Sequence, residues 1–141
     1  MRNNFWGMEK TKTIQVLLVD DEKQFANILS KRLRRRNIDV VTAYSGSEAI
    51  QTLRKRDFEV VVLDLKMEDM DGIEVLKIMK IIDNRLAVIM LTGHGSAEAA
   101  EQGIKQGAFD YLSKPCEMEE LLKKIESAYA HRKQFDAQDN Q

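Results

Sequence analysis

The chain has 141 residues, 43% of them hydrophobic and 32% charged, and its 22 Lys and Arg against 23 Asp and Glu leave a net charge of −1. That length suits one domain with a proper core and is too short for two, and the balanced charge gives no electrostatic reason to expect nucleic acid or an anionic membrane as a partner. The single cysteine, Cys116, excludes an internal disulfide and suits a reducing cytoplasm, while no apolar run is long enough to span a bilayer or to form the centre of a signal peptide.

Residues 1–12 have no periodicity, and Phe5 and Trp6 are their only large apolar side chains. They read as a flexible extension, against the alternative of an arm that packs Trp6 on the domain or on a partner. Residues 14–19 form a buried strand that runs into Asp20-Asp21-Glu22, where Asp21 or Glu22 is placed to cap the next helix. That helix, residues 23–37, carries Phe25, Ile28, Leu29 and Leu33 on one face. Its other face holds Lys31, Arg32, Arg34, Arg35 and Arg36, a solvated basic cluster that favours the helix C-terminus. Residues 39–43 are a second strand. Ser45, with Glu48 three residues on, has the capping-box pattern, and Ala49, Ile50 and Leu53 face inward.

Residues 60–63 are four apolar side chains, three of them β-branched, as expected of a strand buried on both faces. The run stops at Asp64. An acidic segment follows and ends in Asp71-Gly72, a turn feeding a helix that carries Ile73, Val75, Leu76, Ile78 and Met79. Residues 87–91 form a fourth strand ending at Thr92-Gly93-His94-Gly95. Ser96 starts a helix weakened by its interior Gly103 and stopped by Gly107. Residues 109–113 are a fifth strand, followed by Lys114-Pro115. The last helix, residues 118–132, buries Leu121, Leu122, Ile125 and Tyr129; residues 133–141 read as a polar tail that frays from Phe135.

Five strands alternating with five helices over residues 13–132 imply a doubly wound α/β domain with a parallel sheet and helices on both faces. Right-handed crossovers leave few topologies, and the flavodoxin-like order 2-1-3-4-5 is the expected one. In such a sheet all strand C-terminal ends lie on one edge. Strands one and three are neighbours there, which brings Asp20, Asp21 and Asp64 together. Like charges that close need a cation or a retained proton. Oxygen ligands favour Mg2+, which keeps several waters and leaves room for a phosphate oxygen. Thr92 and Lys114 supply a hydroxyl and a positive charge from the other side. Together these five residues can bind a phosphoryl group and stabilise its transfer.

The pieces Val19-Asp20-Asp21-Glu22, Asp64 through Asp71-Gly72, Leu91-Thr92-Gly93 and Gly107 through Pro115 resemble the receiver domain of two-component response regulators. The resemblance covers roughly residues 13–132. It implies a phosphorylation switch, rather than an enzyme with an external substrate, that promotes its own phosphorylation and dephosphorylation. By that resemblance Asp64 accepts the phosphoryl group, and Asp20, Asp21, Asp64 and the backbone carbonyl of Lys66 hold Mg2+. Thr92 and Lys114 would contact the phosphoryl oxygens, and Tyr111 would be the switch aromatic. The donor would be a phosphohistidine on a kinase or phosphotransfer protein, docked on Lys23, Gln24 and Asn27. The face formed by helix 4, strand 5 and helix 5 would meet an effector domain or a second copy. Family geometry makes Lys66 and His94 the side chains that tune phosphoryl lifetime, and it makes Lys114-Pro115 a cis bond. The spellings around Thr92 and Tyr111 look most like receivers attached to sigma-54 activators. With no effector domain following, the chain reads as a stand-alone receiver or a piece of a longer regulator.

The chain departs from the pattern at Glu68, where most receivers have proline. The expected effect is a freer loop and added negative charge beside the metal. Three other readings fit less well. A flavodoxin-type cofactor binder needs a hydroxyl- and glycine-bearing phosphate loop where this chain has Asp20-Asp21-Glu22. An aspartyl-nucleophile phosphatase needs an acid two residues after the nucleophile, where this chain has Lys66. A receiver fold reduced to a docking module would have no use for the five intact site residues.

Overall fold

The unbroken apolar runs have their reason in a sheet covered on both faces. The computed structural model describes residues 13–93 and 97–139. Strands β1 (Ile14–Val19), β2 (Ile38–Ala43), β3 (Val60–Asp64), β4 (Ala87–Thr92) and β5 (Asp110–Ser113) alternate with five helices. These are α1 (Lys23–Arg34), α2 (Gly46–Lys55), α3 (Gly72–Ile82), α4 (Ala97–Lys105) and α5 (Met118–Asp139). The five strands form one parallel sheet in the order β2-β1-β3-β4-β5, the doubly wound flavodoxin-like arrangement expected from the sequence.

Alternate residues of β1, β3 and β4 feed two cores. Val16, Leu18, Val60, Val62, Ile89 and Leu91 pack with Leu29 and Leu33 of α1 and Leu121 and Ile125 of α5. Leu17, Val19, Val61, Leu63, Val88 and Met90 pack on the opposite face with Leu53 of α2 and Val75, Leu76 and Met79 of α3. Each fully buried Leu, Val or Ile contributes roughly 1.5–3 kcal/mol relative to exposure. The register pairs Val19 with Leu63 and Asp64 with Leu91, so the strand ends lie level along one edge.

Several local expectations change on contact with the structure. Neither Asp21 nor Glu22 caps α1: Glu22 occupies the cap position without a side-chain bond, and its N–H donates to Asp20 Oδ1 at 3.0 Å. Ile28 is 59% exposed, because α1 buries Ala26, Leu29, Ser30 and Leu33 instead. The helix stops at Arg34, and the left-handed Asn37 (φ 65°) turns the chain into β2. In the Ser45 cap, the Ser45 hydroxyl accepts the Glu48 N–H at 3.0 Å, but the Glu48 carboxylate returns to the N–H of Tyr44, one residue earlier than the box predicts. Gly103 is less a weak point than a packing requirement, since a Cβ there would lie 2.0 Å from Met90 Sδ.

The last helix does not stop at Arg132: α5 runs on to Asp139, through the first residues of the polar tail. Apolar periodicity could not show this, because charges hold the extra turns. Buried Arg132 donates to the Phe58 carbonyl at 3.1 Å and pairs with Asp136 at 3.1 Å, and Arg85 pairs with the same Asp136 carboxylate at 3.1 Å. Lys133 reaches Glu59 at 3.2 Å. Residues 1–12, with Trp6, lie outside the described residues, as do His94 and Ser96.

Between β3 and α3 the chain folds tightly back on itself. Gly72 N–H donates to the Leu65 carbonyl at 3.2 Å, and Lys66 bridges Asp71. A Cβ on Gly72 would sit 2.5 Å from Leu65 Cα and 2.6 Å from its carbonyl oxygen, both backbone atoms that cannot swing away. Gly72→Ala is therefore expected to lose about 2 kcal/mol or more of stability in urea unfolding monitored by circular dichroism.

Candidate functional site

At the C-terminal edge of the sheet, β1 delivers Asp20 and Asp21 beside Asp64 of β3, and carboxylate oxygens of the three lie within 4.8 Å of one another. Asp20 is fully buried and Asp64 is 4% exposed, so water does little to separate their charges. Lys114, just past β5, supplies the compensating cation. Its Nζ lies 2.8 Å from Asp20 Oδ2 and 3.4 Å from Asp64 Oδ2, with Glu22 Oε1 at 3.6 Å. It also sits 4.5 Å from the centre of the Phe25 ring, which covers the ammonium from α1. Burial alone would lower the Lys114 ammonium, but the Asp20 and Asp64 carboxylates outweigh it and hold the group above the ordinary lysine range. The peptide bond between Lys114 and Pro115 is cis.

One ammonium does not balance three carboxylates. Asp64 shows the strain: burial first, then the Asp20 charge, push it from 3.8 up to about 6, against the pull of Lys114 and the Lys66 N–H. The donors are all carboxylate oxygens and carry surplus negative charge, a set that fits a hard divalent cation such as Mg2+. The Lys66 N–H donates to Asp64 Oδ1 at 3.3 Å, and the Lys66 side chain is exposed.

Thr92 is buried at the end of β4, with its hydroxyl donating to the Leu112 carbonyl at 3.3 Å. The Lys114 N–H donates to the Thr92 carbonyl at 2.8 Å, so the strand ends that carry the two residues are directly bonded. Tyr111 is 44% exposed on β5, beside the ion pair of Asp110 with Lys124 at 2.6 Å. Asp20, Asp21, Asp64, Thr92 and Lys114 thus converge on one edge, Tyr111 stands outward of it, and His94 falls outside the described residues.

Three contacts were not read from the sequence. Phe25 was assigned to the core face of its helix, and its position one turn into α1 was the only pointer to Lys114. Glu68, expected to add negative charge beside the metal, also contributes its backbone: its N–H donates to Asp21 Oδ2 at 2.9 Å. Asp69 then reaches the start of α2, accepting from the N–H of Gly46 at 3.0 Å and from the N–H and hydroxyl of Ser47 at 3.1 Å. The Gly46 N–H, with those of Ser47, holds the Asp69 carboxyl below its usual range.

A family model described as "Response regulator receiver domain" matches residues 16–126. The transcriptional regulatory protein ZraR of Salmonella typhimurium (strain LT2) is 36% identical over 125 residues, covering 89% of this chain and 28% of that protein. The DNA-binding transcriptional regulator NtrC of Escherichia coli K12 is 34% identical over 116 residues, 82% of this chain and 25% of that protein. The chain therefore spans about a quarter of the length of these relatives. Among solved structures, a response regulator receiver domain protein from Clostridium thermocellum matches with a TM-score of 0.83 at 32% identity, over 86% of this chain and 98% of that one. A structure titled adenylate cyclase from Rhodopirellula baltica matches with a TM-score of 0.87 at 29% identity, over 92% of this chain and 96% of that one.

The raised Asp64 carboxyl has a sign that can be checked. The folded state keeps the proton to higher pH than the unfolded chain does, so metal-free stability falls as pH rises from about 4 through about 6. Asp64→Asn removes the buried charge. In urea melts with EDTA at pH 7.5 it is expected to be more stable than wild type by as much as about 3 kcal/mol, with the gap closing toward pH 4.

Proposed function

The chain belongs to the response regulator receiver domains, and from that membership we propose that Asp64 accepts a phosphoryl group from a phosphohistidine, with Mg2+ bound by Asp20, Asp21, Asp64 and the Lys66 backbone carbonyl. Receiver domains are the signalling switches of two-component systems. The observation that carries the reading is a buried, under-neutralised carboxylate at a strand end, flanked by two more acids and bridged by one lysine. A docking module without phosphorylation would have no use for that unfavourable cluster.

The transfer follows from these groups. An Asp64 oxygen forms a bond to phosphorus as the bond from phosphorus to the donor imidazole breaks, and the imidazole leaves carrying its own proton. Mg2+, when bound, supplies positive charge for the carboxylates and the phosphoryl oxygens. Lys114 Nζ is already 3.4 Å from Asp64 and needs little movement to meet a phosphoryl oxygen. The Thr92 hydroxyl must leave the Leu112 carbonyl to donate to another. That exchange loosens β4 from β5 next to Tyr111, which links the chemistry to the face of α4, β5 and α5. Ile104 and Tyr111 are exposed on that face and fit an effector domain or a second copy.

The donor would approach over α1. Asn27 accepts from the Tyr44 hydroxyl at 2.6 Å and Lys23 lies 5.5 Å from the Tyr44 ring, so two of the three expected contacts are already engaged. Exposed Ile28 borders a cavity of about 100 Å³ with Phe25, Leu29, Met118 and Leu121, which adds an apolar anchor beside Gln24. In this reading the domain spans residues 13–132 and works in the cytoplasm. Among the described residues no helix is long and apolar enough to cross a membrane.

Acetyl phosphate with Mg2+ should add one phosphoryl group, read by intact-mass spectrometry, and none to Asp64→Asn; equal labelling of that variant would reject the assignment. Ile28→Glu should slow phosphotransfer from the cognate kinase about tenfold, as loss of a buried anchor does, while leaving labelling by acetyl phosphate unchanged. For lifetime, Lys66→Ala, His94→Ala and the double variant should lose the phosphoryl group faster than wild type if these side chains obstruct the attacking water.

A further inference from the structure

The loop from Leu65 to Gly72 is held at both ends. At its close, Gly72 presses on the Leu65 backbone so tightly that no Cβ fits. In its middle, Asp69 takes three donors at the N-terminus of α2, and Met70 packs so near Gly46 that a Cβ there would meet Met70 Sδ at 3.1 Å. Between these anchors sits Glu68, whose N–H points at Asp21 Oδ2 from 2.9 Å. The bond is charge-assisted, and the anchors at Leu65–Gly72 and Asp69 flank its donor.

We infer that the backbone N–H of Glu68 is a positioning group for the metal site: it fixes the orientation of the Asp21 carboxylate, which lies with Asp20 and Asp64, by bonding one of its oxygens. A carboxylate has two oxygens and several acceptor directions, so one N–H orients it without exhausting it. Asp21 needs such help more than its neighbours do. Asp20 is buried and tied to both Lys114 and the Glu22 N–H, and Asp64 is tied to Lys114 and the Lys66 N–H. Asp21 is half-buried at the rim, and among the described residues the Glu68 N–H is the hydrogen-bond donor that ties it. Hydrogen bonds behind a metal ligand contribute about 10–100-fold to metal affinity. Proline at this position would have no N–H and would leave Asp21 to solvent.

The inference rests on the proposed Mg2+ site, and the test separates the two. Isothermal titration with MgCl2 is run on wild type, Glu68→Pro and Glu68→Gln, each checked for folding by thermal melting in EDTA. Glu68→Gln keeps the N–H and removes only an exposed, screened charge, so its affinity should stay within about threefold of wild type. Glu68→Pro should bind about tenfold more weakly. Equal or tighter binding by Glu68→Pro overturns the inference and leaves the Mg2+ site standing, whereas a wild type that takes up no Mg2+ overturns both. If Glu68→Pro does not fold, Asp69→Ala frees the loop from α2 without touching the donor. It should weaken Mg2+ binding and speed hydrogen exchange at the Glu68 amide, and unchanged values for both would reject the inference.

Discussion

Three carboxylates crowded at one buried edge are the constraint to which the rest of this structure answers. Left alone, they would repel or hold protons. Lys114 offsets part of that repulsion and is itself steadied by the Phe25 ring and the bond of its N–H to Thr92. The sheet supplies the rest of the rigidity. Two cores, one on each face, fix the strands so closely that the strand ends cannot splay to relieve the charge. Stability sacrificed at this edge is recovered in the largely apolar β1, β3 and β4, where most side chains are buried.

The sheet order and the five convergent residues could be read from the chain because each rests on a strong local pattern. β-branched runs mark strands, and a strand that ends in an acid, a hydroxyl or a lysine announces what stands at its edge. Ile14–Val19 and Val60–Asp64 emerge where those patterns put them. The turn residues Asp71 and Ser45 cap helices as their chemistry requires.

What stayed hidden has a common cause. Backbone N–H groups look alike in every sequence, so nothing in the letters distinguishes the amide of Glu68, which meets Asp21 across 47 residues, from any other. Asp69 is similar: its partners Gly46 and Ser47 lie more than 20 residues earlier, and only the folded loop brings them near. The final turns of α5 were misread because they are held by ion pairs of Arg132, Lys133 and Asp136 and not by an apolar stripe. The exposure of Ile28 has a different origin. Helical spacing allows two adjacent faces, and the one that places Ala26 and Ser30 against the sheet lets α1 approach more closely.

A threonine hydroxyl has one proton to give, and in this structure Thr92 gives it to Leu112. Under the proposed phosphorylation it would serve that carbonyl or a phosphoryl oxygen, not both at once. The two arrangements therefore compete as alternative states of one molecule, separated by the difference between a hydrogen bond to a neutral acceptor and one to a charged acceptor. That difference is about 1 kcal/mol, a factor of roughly five in population. A single bond exchange of this size tilts an equilibrium and does not lock it. Each further contact that prefers one arrangement, whether Lys114 reaching a new oxygen or a partner covering Tyr111, multiplies the ratio again. Under that proposal such a domain would respond in degrees, and what occupied its outer face would help set how far it turned.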